Sequence, residues 1–272
     1  MINTVVIDNI QGIYDIMSEQ PYHEDIKRYR STFVYRGVPD ASYKLLTTLQ
    51  RVCKDHKNSL EPKILENFAK YAELEDPSIK QSVWRQMILG QHHGLPTRLL
   101  DWTQSCMVAL HFATTENNMD KMDKRDCAIW RIDLSELDDL LPDKYQAVRQ
   151  QSGRDVFSVD MLNEACSGLD EYDWDMQNRA MLVLEPPSID PRIVNQYSFF
   201  TITPGSVVDI AEFLDRNTAN TVKYVIKKEL RWQIRDMLDQ FNTNERIIYP
   251  GLDGISAWLG RHYYVRDGID GE

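Results

Sequence analysis

The sequence has few cysteines, no clustered glycine or proline, and no long apolar run. Cys53, Cys106, Cys127 and Cys166 stand far apart with no C-x-x-C step, which excludes a dense disulfide scaffold and reads as reduced, mostly buried thiols. The 12 glycines and 11 prolines are scattered, so no linker divides the chain, and no repeat or low-complexity stretch is visible; one compact unit follows. No run approaches the ~20 apolar residues of a membrane span. Residues 1–17 carry Asp8 and Asp15 and lack a basic n-region, so no signal peptide is expected and the expected location is the cytoplasm. Positive charge is short as well: 31 Lys and Arg face 42 Asp and Glu, a net charge of -11. So acidic a chain repels polyphosphate unless it folds a local basic patch, which makes nucleic acid a poor default partner.

The common chemical signatures are missing too. His92 and His93 invite a metal, with His111, Asp101 or Glu116 as further ligands, but no H-E-x-x-H string occurs, and adjacent histidines in a loop project in different directions; no metal site is expected. Gly254-Ile255-Ser256-Ala257-Trp258 lacks the second glycine of a nucleophile elbow. Walker and G-x-G-x-x-G loops are absent, so a bound nucleotide needs another cradle. The acidic insertion from Asp160 to Asp175 reads as a loop or a solvated helix edge, and its Asp170 to Asp175 run as a solvated face rather than a two-metal cage.

What remains is an ordinary globular composition, 42% hydrophobic and 27% charged. Residues 10–17 read as a short amphipathic helix, and residues 31–36, STFVYR, as a strand ending in the turn Gly37-Val38-Pro39-Asp40. Between 61 and 91, Ile64, Leu65, Phe68, Tyr71, Val83, Met87 and Ile88 recur at three and four, giving two helices separated near Asp76-Pro77. Gly94 and Pro96 exclude helix from the first half of 91–116, and a new helix can start at Thr103 or Gln104. Strands are expected at 127–132, 181–184, 198–202 and 222–226. Helices and strands so mixed indicate an α+β or mixed α/β fold.

Three polar positions stand where a bland core would not put them. Arg36 follows Phe33-Val34-Tyr35 and precedes a glycine; a planar guanidinium there suits a bidentate grip on phosphate or carboxylate, or an ordinary structural ion pair. In Thr97-Arg98-Leu99-Leu100-Asp101-Trp102-Thr103, Arg98 and Asp101 either neutralise each other or serve a ligand. Gln196, just before the aromatic strand Ser198-Phe199-Phe200, can orient a ligand or cap a loop.

These residues coincide with known signatures, and the chain resembles the FRG domain. Tyr35-Arg36-Gly37 is similar to its first signature. Gln91-His92-His93-Gly94-Leu95-Pro96-Thr97-Arg98-Leu99-Leu100-Asp101-Trp102-Thr103, followed by Ala109-Leu110-His111-Phe112-Ala113, looks like its second. Arg192 with Gln196 to Phe200 is similar to the third, with Ser198 in place of the family's glycine, and Ile248-Tyr249-Pro250-Gly251-Leu252-Asp253-Gly254 resembles the closing motif. The resemblance implies a helical extension at 1–29, the FRG domain at 30–262 and a tail at 263–272. It further implies kinship with ADP-ribosyltransferases, and hence an α+β single domain with a mixed, split β-sheet cleft, added helices and NAD as cofactor. Toxin or phage-defence roles are implied in the same way.

On that kinship, Arg36, Thr103 and Gln196 would be catalytic. Tyr35, Arg36, Gly37, His93, Arg98, Asp101 and Trp102 would bind the cofactor, Arg36 and Arg98 gripping the pyrophosphate and Trp102 or Tyr35 stacking on a ring. Gln196 stands where transfer wants a carboxylate to stabilise the developing oxocarbenium, with Glu185 or Asp101 as substitutes. Two functions follow: ADP-ribosyl transfer to a macromolecular acceptor or NAD hydrolysis, and a noncatalytic module that senses a nucleotide or protein.

Overall fold

The computed structural model describes residues 1–188 and 190–266; residues 267–272 of the expected tail lie outside it. Nine strands occur among the described residues: β1 (Asn3–Ile7), β2 (Tyr22–His23), β3 (Arg28–Tyr29), β4 (Phe33–Val38), β5 (Leu99–Thr103), β6 (Cys127–Asp133), β7 (Leu182–Leu184), β8 (Ser198–Ile202) and β9 (Val222–Ile226). Seven of them form one mixed sheet in the order β1-β9-β6-β4-β5-β8-β7, while β2 and β3 make a separate hairpin. Only β1 and β9 pair in parallel. Helices cover both faces of the sheet, so the fold is mixed α/β around a single sheet. No helix among the described residues is long and apolar enough to cross a membrane.

Strand alternation sorts the core into layers. Val34, Leu100, Trp102, Trp130 and Ile132 pack on one face with Phe213 and Leu214 of helix Ile210–Asn217. On the other, Tyr35, Ile129 and Tyr224 meet Ala109 and Leu110 of helix Cys106–Thr114 and Ile234 of helix Arg231–Gln240. Beyond β5 that second face continues as Leu99, Phe200 and Ile202 against Trp84, Phe157 and Tyr172. β1 was not legible as a strand: it is five residues long, mostly exposed, and held by its partner β9. It places part of the 1–29 segment in the main sheet, next to the expected helix Ile10–Met17.

The seam between β4 and β5 is narrow, with Tyr35 opposite Thr103 as its one register pair. The expected turn at 37–40 begins later, because Gly37 and Val38 still pair with Ile129 and Ala128 of β6. Gly37 is required there. A Cβ on it would lie 2.0 Å from the Ala109 carbonyl oxygen, since helix Cys106–Thr114 rests its backbone on the strand. That helix starts at Cys106 rather than at Thr103 or Gln104, because 99–103 are drawn into pairing with β8 and Ser105 caps it, its hydroxyl accepting from the Val108 amide. The acidic stretch differs as well. It folds as helices Val159–Ala165 and Leu169–Met176, whose Tyr172 and Met176 are buried.

Candidate functional site

The three residues expected to be catalytic lie along the β4–β5–β8 part of the sheet. Thr103, buried at the end of β5, donates its hydroxyl to the Gln196 carbonyl at 2.6 Å and accepts from the Ser105 amide at 3.1 Å. The Gln196 side chain donates through Nε2 to the Ile248 carbonyl at 3.3 Å. Arg36 stands one residue beyond the seam pair, its Nη1 donating to the Asp101 carbonyl at 2.7 Å with Asp101 Oδ2 at 3.4 Å. Burial lowers the Arg36 pKa against the charge of Asp101, and the nearby Arg51 lowers it further. Gln91 Nε2 donates to both Asp101 carboxylate oxygens, and Thr97 Oγ1 donates to Gln91 Oε1. Arg36 thus fastens the splayed part of the seam.

The expected cofactor residues do not share one wall. Tyr35 and Arg36 project to opposite faces of β4, and the Tyr35 hydroxyl donates to Glu19 Oε1 at 2.8 Å; burial and that carboxylate push its pKa up. Trp102 is 3% exposed, with its indole N–H donating to Thr201 Oγ1, so neither ring is free to stack. Gly37 is covered by helix backbone. Arg98 and Asp101 do not neutralise each other. Arg98 is locked between Glu61, which takes its Nε at 2.8 Å and its Nη2 at 2.5 Å, and Asp173, which takes Nη1 at 2.5 Å. Buried and held by both acids, Arg98 has its charge already matched inside the fold and is not placed to grip a pyrophosphate. His93 is exposed on a cavity of about 720 Å³ that also holds His92, Glu185 and Asp190, with His92 Nε2 3.5 Å from Asp190 Oδ2.

A different hollow is lined by the chain neighbours of Thr103 and Gln196, though not by those two residues themselves. It has a volume of about 460 Å³, and its floor is the chain on either side of those two residues: Gln104 and Ser105, and Asn195 and Tyr197. One wall is Gln20, Arg30 and Ser31 ahead of β4; the other is Phe241, Asn242 and Thr243 with Ile247 and Ile248. Among the described residues no carboxylate lines it, in a chain whose net charge is -11. Arg30 is its one cation, and among the described residues the guanidinium makes no ion pair. Tyr197 and Phe241 are about half exposed, at 58% and 48%.

Two rim residues hold a backbone conformation that L side chains rarely adopt, Tyr197 at φ 48° and Asn242 at φ 54°. Asn tolerates this region; a bulky tyrosine there is strained, and such strain gathers at binding sites. The Tyr197 backbone is held in place by accepting from Gln104 N and donating to Val194 O, both at 3.1 Å. Sequence reasoning missed Arg30, Tyr197, Phe241 and Asn242. Tyr197 had a signal, its place inside the third signature; the other three had none.

Residues 31–122 match the FRG domain. The match covers β4, β5 and helix Cys106–Thr114, and so the first two signatures; the third signature and the closing motif lie beyond it. Neither a curated protein nor a solved structure matches the chain. Within the FRG match, the glycine of Tyr35-Arg36-Gly37 serves helix-on-strand packing, Arg36 the seam, and Arg98 a buried ion cluster.

Proposed function

We propose that this FRG domain binds a nucleotide, NAD in the first instance, in the hollow beside Thr103 and Gln196, and that it does so without turning it over. The observation carrying the reading is the composition of the lining: two half-exposed aromatic residues and, among the described residues, one guanidinium outside any ion pair and no carboxylate. Tyr197 and Phe241 offer faces for a planar base. Arg30 offers charge-assisted donors to a phosphate, and Gln104, Asn195 and Asn242 offer amides for the edge of the base or for ribose hydroxyls. The volume suits a small molecule or one half of a dinucleotide.

Turnover is a poorer fit. Cleavage of the nicotinamide–ribose bond wants a carboxylate near the developing oxocarbenium, whereas Glu185 lines another cavity, Asp101 is tied to Arg36 and Gln91, and the Thr103 hydroxyl is already spent. Calorimetric titration with NAD, run beside a nicotinamide-release assay, tests this. Saturable binding lost in Arg30→Ala, with no nicotinamide released, is the expected result. Silence in the titration with folded protein ends the nucleotide reading, and release that depends on Arg36 and Thr103 restores the transferase one.

A further inference from the structure

The wall of the hollow at 241–248 is pinned from behind by Arg261, a residue that does not line it. Arg261, on helix Leu252–His262, is 4% exposed. Its guanidinium grips two carboxylates at once: Nη1 and Nη2 donate to Asp239 Oδ2 and Oδ1 at 2.9 and 2.7 Å, while Nε and Nη2 donate to Glu245 Oε1 and Oε2 at 2.8 and 3.0 Å. Asp239 lies on helix Arg231–Gln240 and Glu245 opens helix Glu245–Ile248. Between these two anchors runs the segment that carries Phe241, Asn242 and Thr243 into the hollow. Arg235 also pairs with Glu245, and its Nη1 donates to Nδ1 of the buried His111 at 2.8 Å, tying the cluster to helix Cys106–Thr114. On its far side the wall meets the third signature, where Asn195 Nδ2 donates to the Ile247 carbonyl at 2.7 Å.

We propose that Arg261 is the positioning residue of this hollow. By holding Asp239 and Glu245 in one fork-to-carboxylate arrangement, it fixes the loop that presents Phe241 and Asn242, and, on the nucleotide reading above, it sets affinity without touching ligand. A lysine in its place has one point charge and no fork, so it cannot bridge both carboxylates with the same geometry. A loop released from its anchors must be ordered again when ligand binds, and that cost appears as weaker binding.

The test is native-state hydrogen exchange and NAD titration on the full chain, comparing wild type with Arg261→Lys, Arg261→Ala and Asp239→Asn. Arg216→Ala, in an exposed ion pair on helix Ile210–Asn217, is the control. The amides of Thr243, Ile247 and Ile248 are expected to exchange at least tenfold faster in the Arg261 and Asp239 variants, with those of β5 and β8 unchanged, and the affinity for NAD to fall about tenfold or more. Asp239→Asn keeps the Glu245 link and reports the clamp should Arg261→Ala not fold. Exchange that is unchanged, or that rises uniformly over the sheet as in global destabilisation, overturns the proposal. A wild type that fails to bind NAD sinks the nucleotide reading instead, and the exchange data then decide the clamp alone.

Discussion

Thr103, Gly37 and Tyr197 illustrate three ways a residue in a signature can matter. Thr103 donates one hydrogen bond and accepts another from inside the fold. Thr103→Val leaves a carbonyl and an amide without partners and is expected to cost about 1–3 kcal/mol in denaturant unfolding, with Thr103→Ser recovering most of it. Gly37→Ala drives a methyl into the Ala109 carbonyl and is expected to cost about 3 kcal/mol or more. An unfolding midpoint within error of wild type for either variant removes the structural assignment. Tyr197 makes the opposite prediction. Tyr197→Gly relieves the left-handed strain, about 1 kcal/mol, so the midpoint should hold or rise while nucleotide affinity falls, as at a site where strain serves binding. A variant that both loses stability and keeps its affinity contradicts this.

At the scale of the element, helix Cys106–Thr114 links the sheet to the C-terminal ion cluster through His111. That histidine is fully buried, and burial together with the neighbouring Arg235 charge lowers its pKa from 6.5 to about 3. Because the folded value lies below the unfolded one, its contribution is complete above pH 6.5 and is lost as the pH falls toward 3, where unfolded chains take up a proton that the folded state refuses. Glu245 adds to the loss further down. Burial works to raise its pKa, but the hydrogen bond from Arg261 and the charge of Arg235 outweigh that and bring it to about 2, so its contribution holds above the ordinary 4.5 and fades between there and about 2. These two contributions should therefore decline from about pH 6.5 downward, against an opposite one from Asp138, whose pKa burial raises to about 6, and the difference between wild type and His111→Gln in unfolding midpoint should change across the upper part of that range. A difference that stays constant there argues against the assignment.

Much of this layer was legible in the sequence, for identifiable reasons. The helix Ile10–Met17, the strands Ser198–Ile202 and Val222–Ile226, and the break at Asp76-Pro77 carry their signal in local periodicity or in breakers. What escaped depends on partners. β1 is a strand because β9 lies beside it, Asp173 is a counter-ion because the fold brings Arg98 to it, and Phe241 belongs to a site because Arg261 holds its loop. Arg36 was legible as unusual but not as a fastener, since a guanidinium before a glycine reads the same whether its partner is a phosphate or a carbonyl.

Over the whole molecule, the signature residues divide between scaffold and surface. Arg98, the residue just before strand β5, ties that strand to helices Lys57–Ala72 and Leu169–Met176 through a buried ion cluster with Glu61 and Asp173. Arg98→Met strands two acids, one of them wholly buried, and is expected to cost about 3–5 kcal/mol, measured by urea unfolding, while any ligand affinity that remains stays near wild type. A selective loss of affinity at unchanged stability would put Arg98 back in the binding site. Although the chain carries a net charge of -11, no carboxylate among the described residues lines the hollow beside Thr103 and Gln196 on the β5 and β8 ends. The most direct measurement is a crystal structure of the chain soaked with NAD. A planar ring between Tyr197 and Phe241 with phosphate oxygens within reach of Arg30 is the predicted result; ligand density in the His92–Glu185 cavity instead, with the Tyr197 hollow empty, would contradict it.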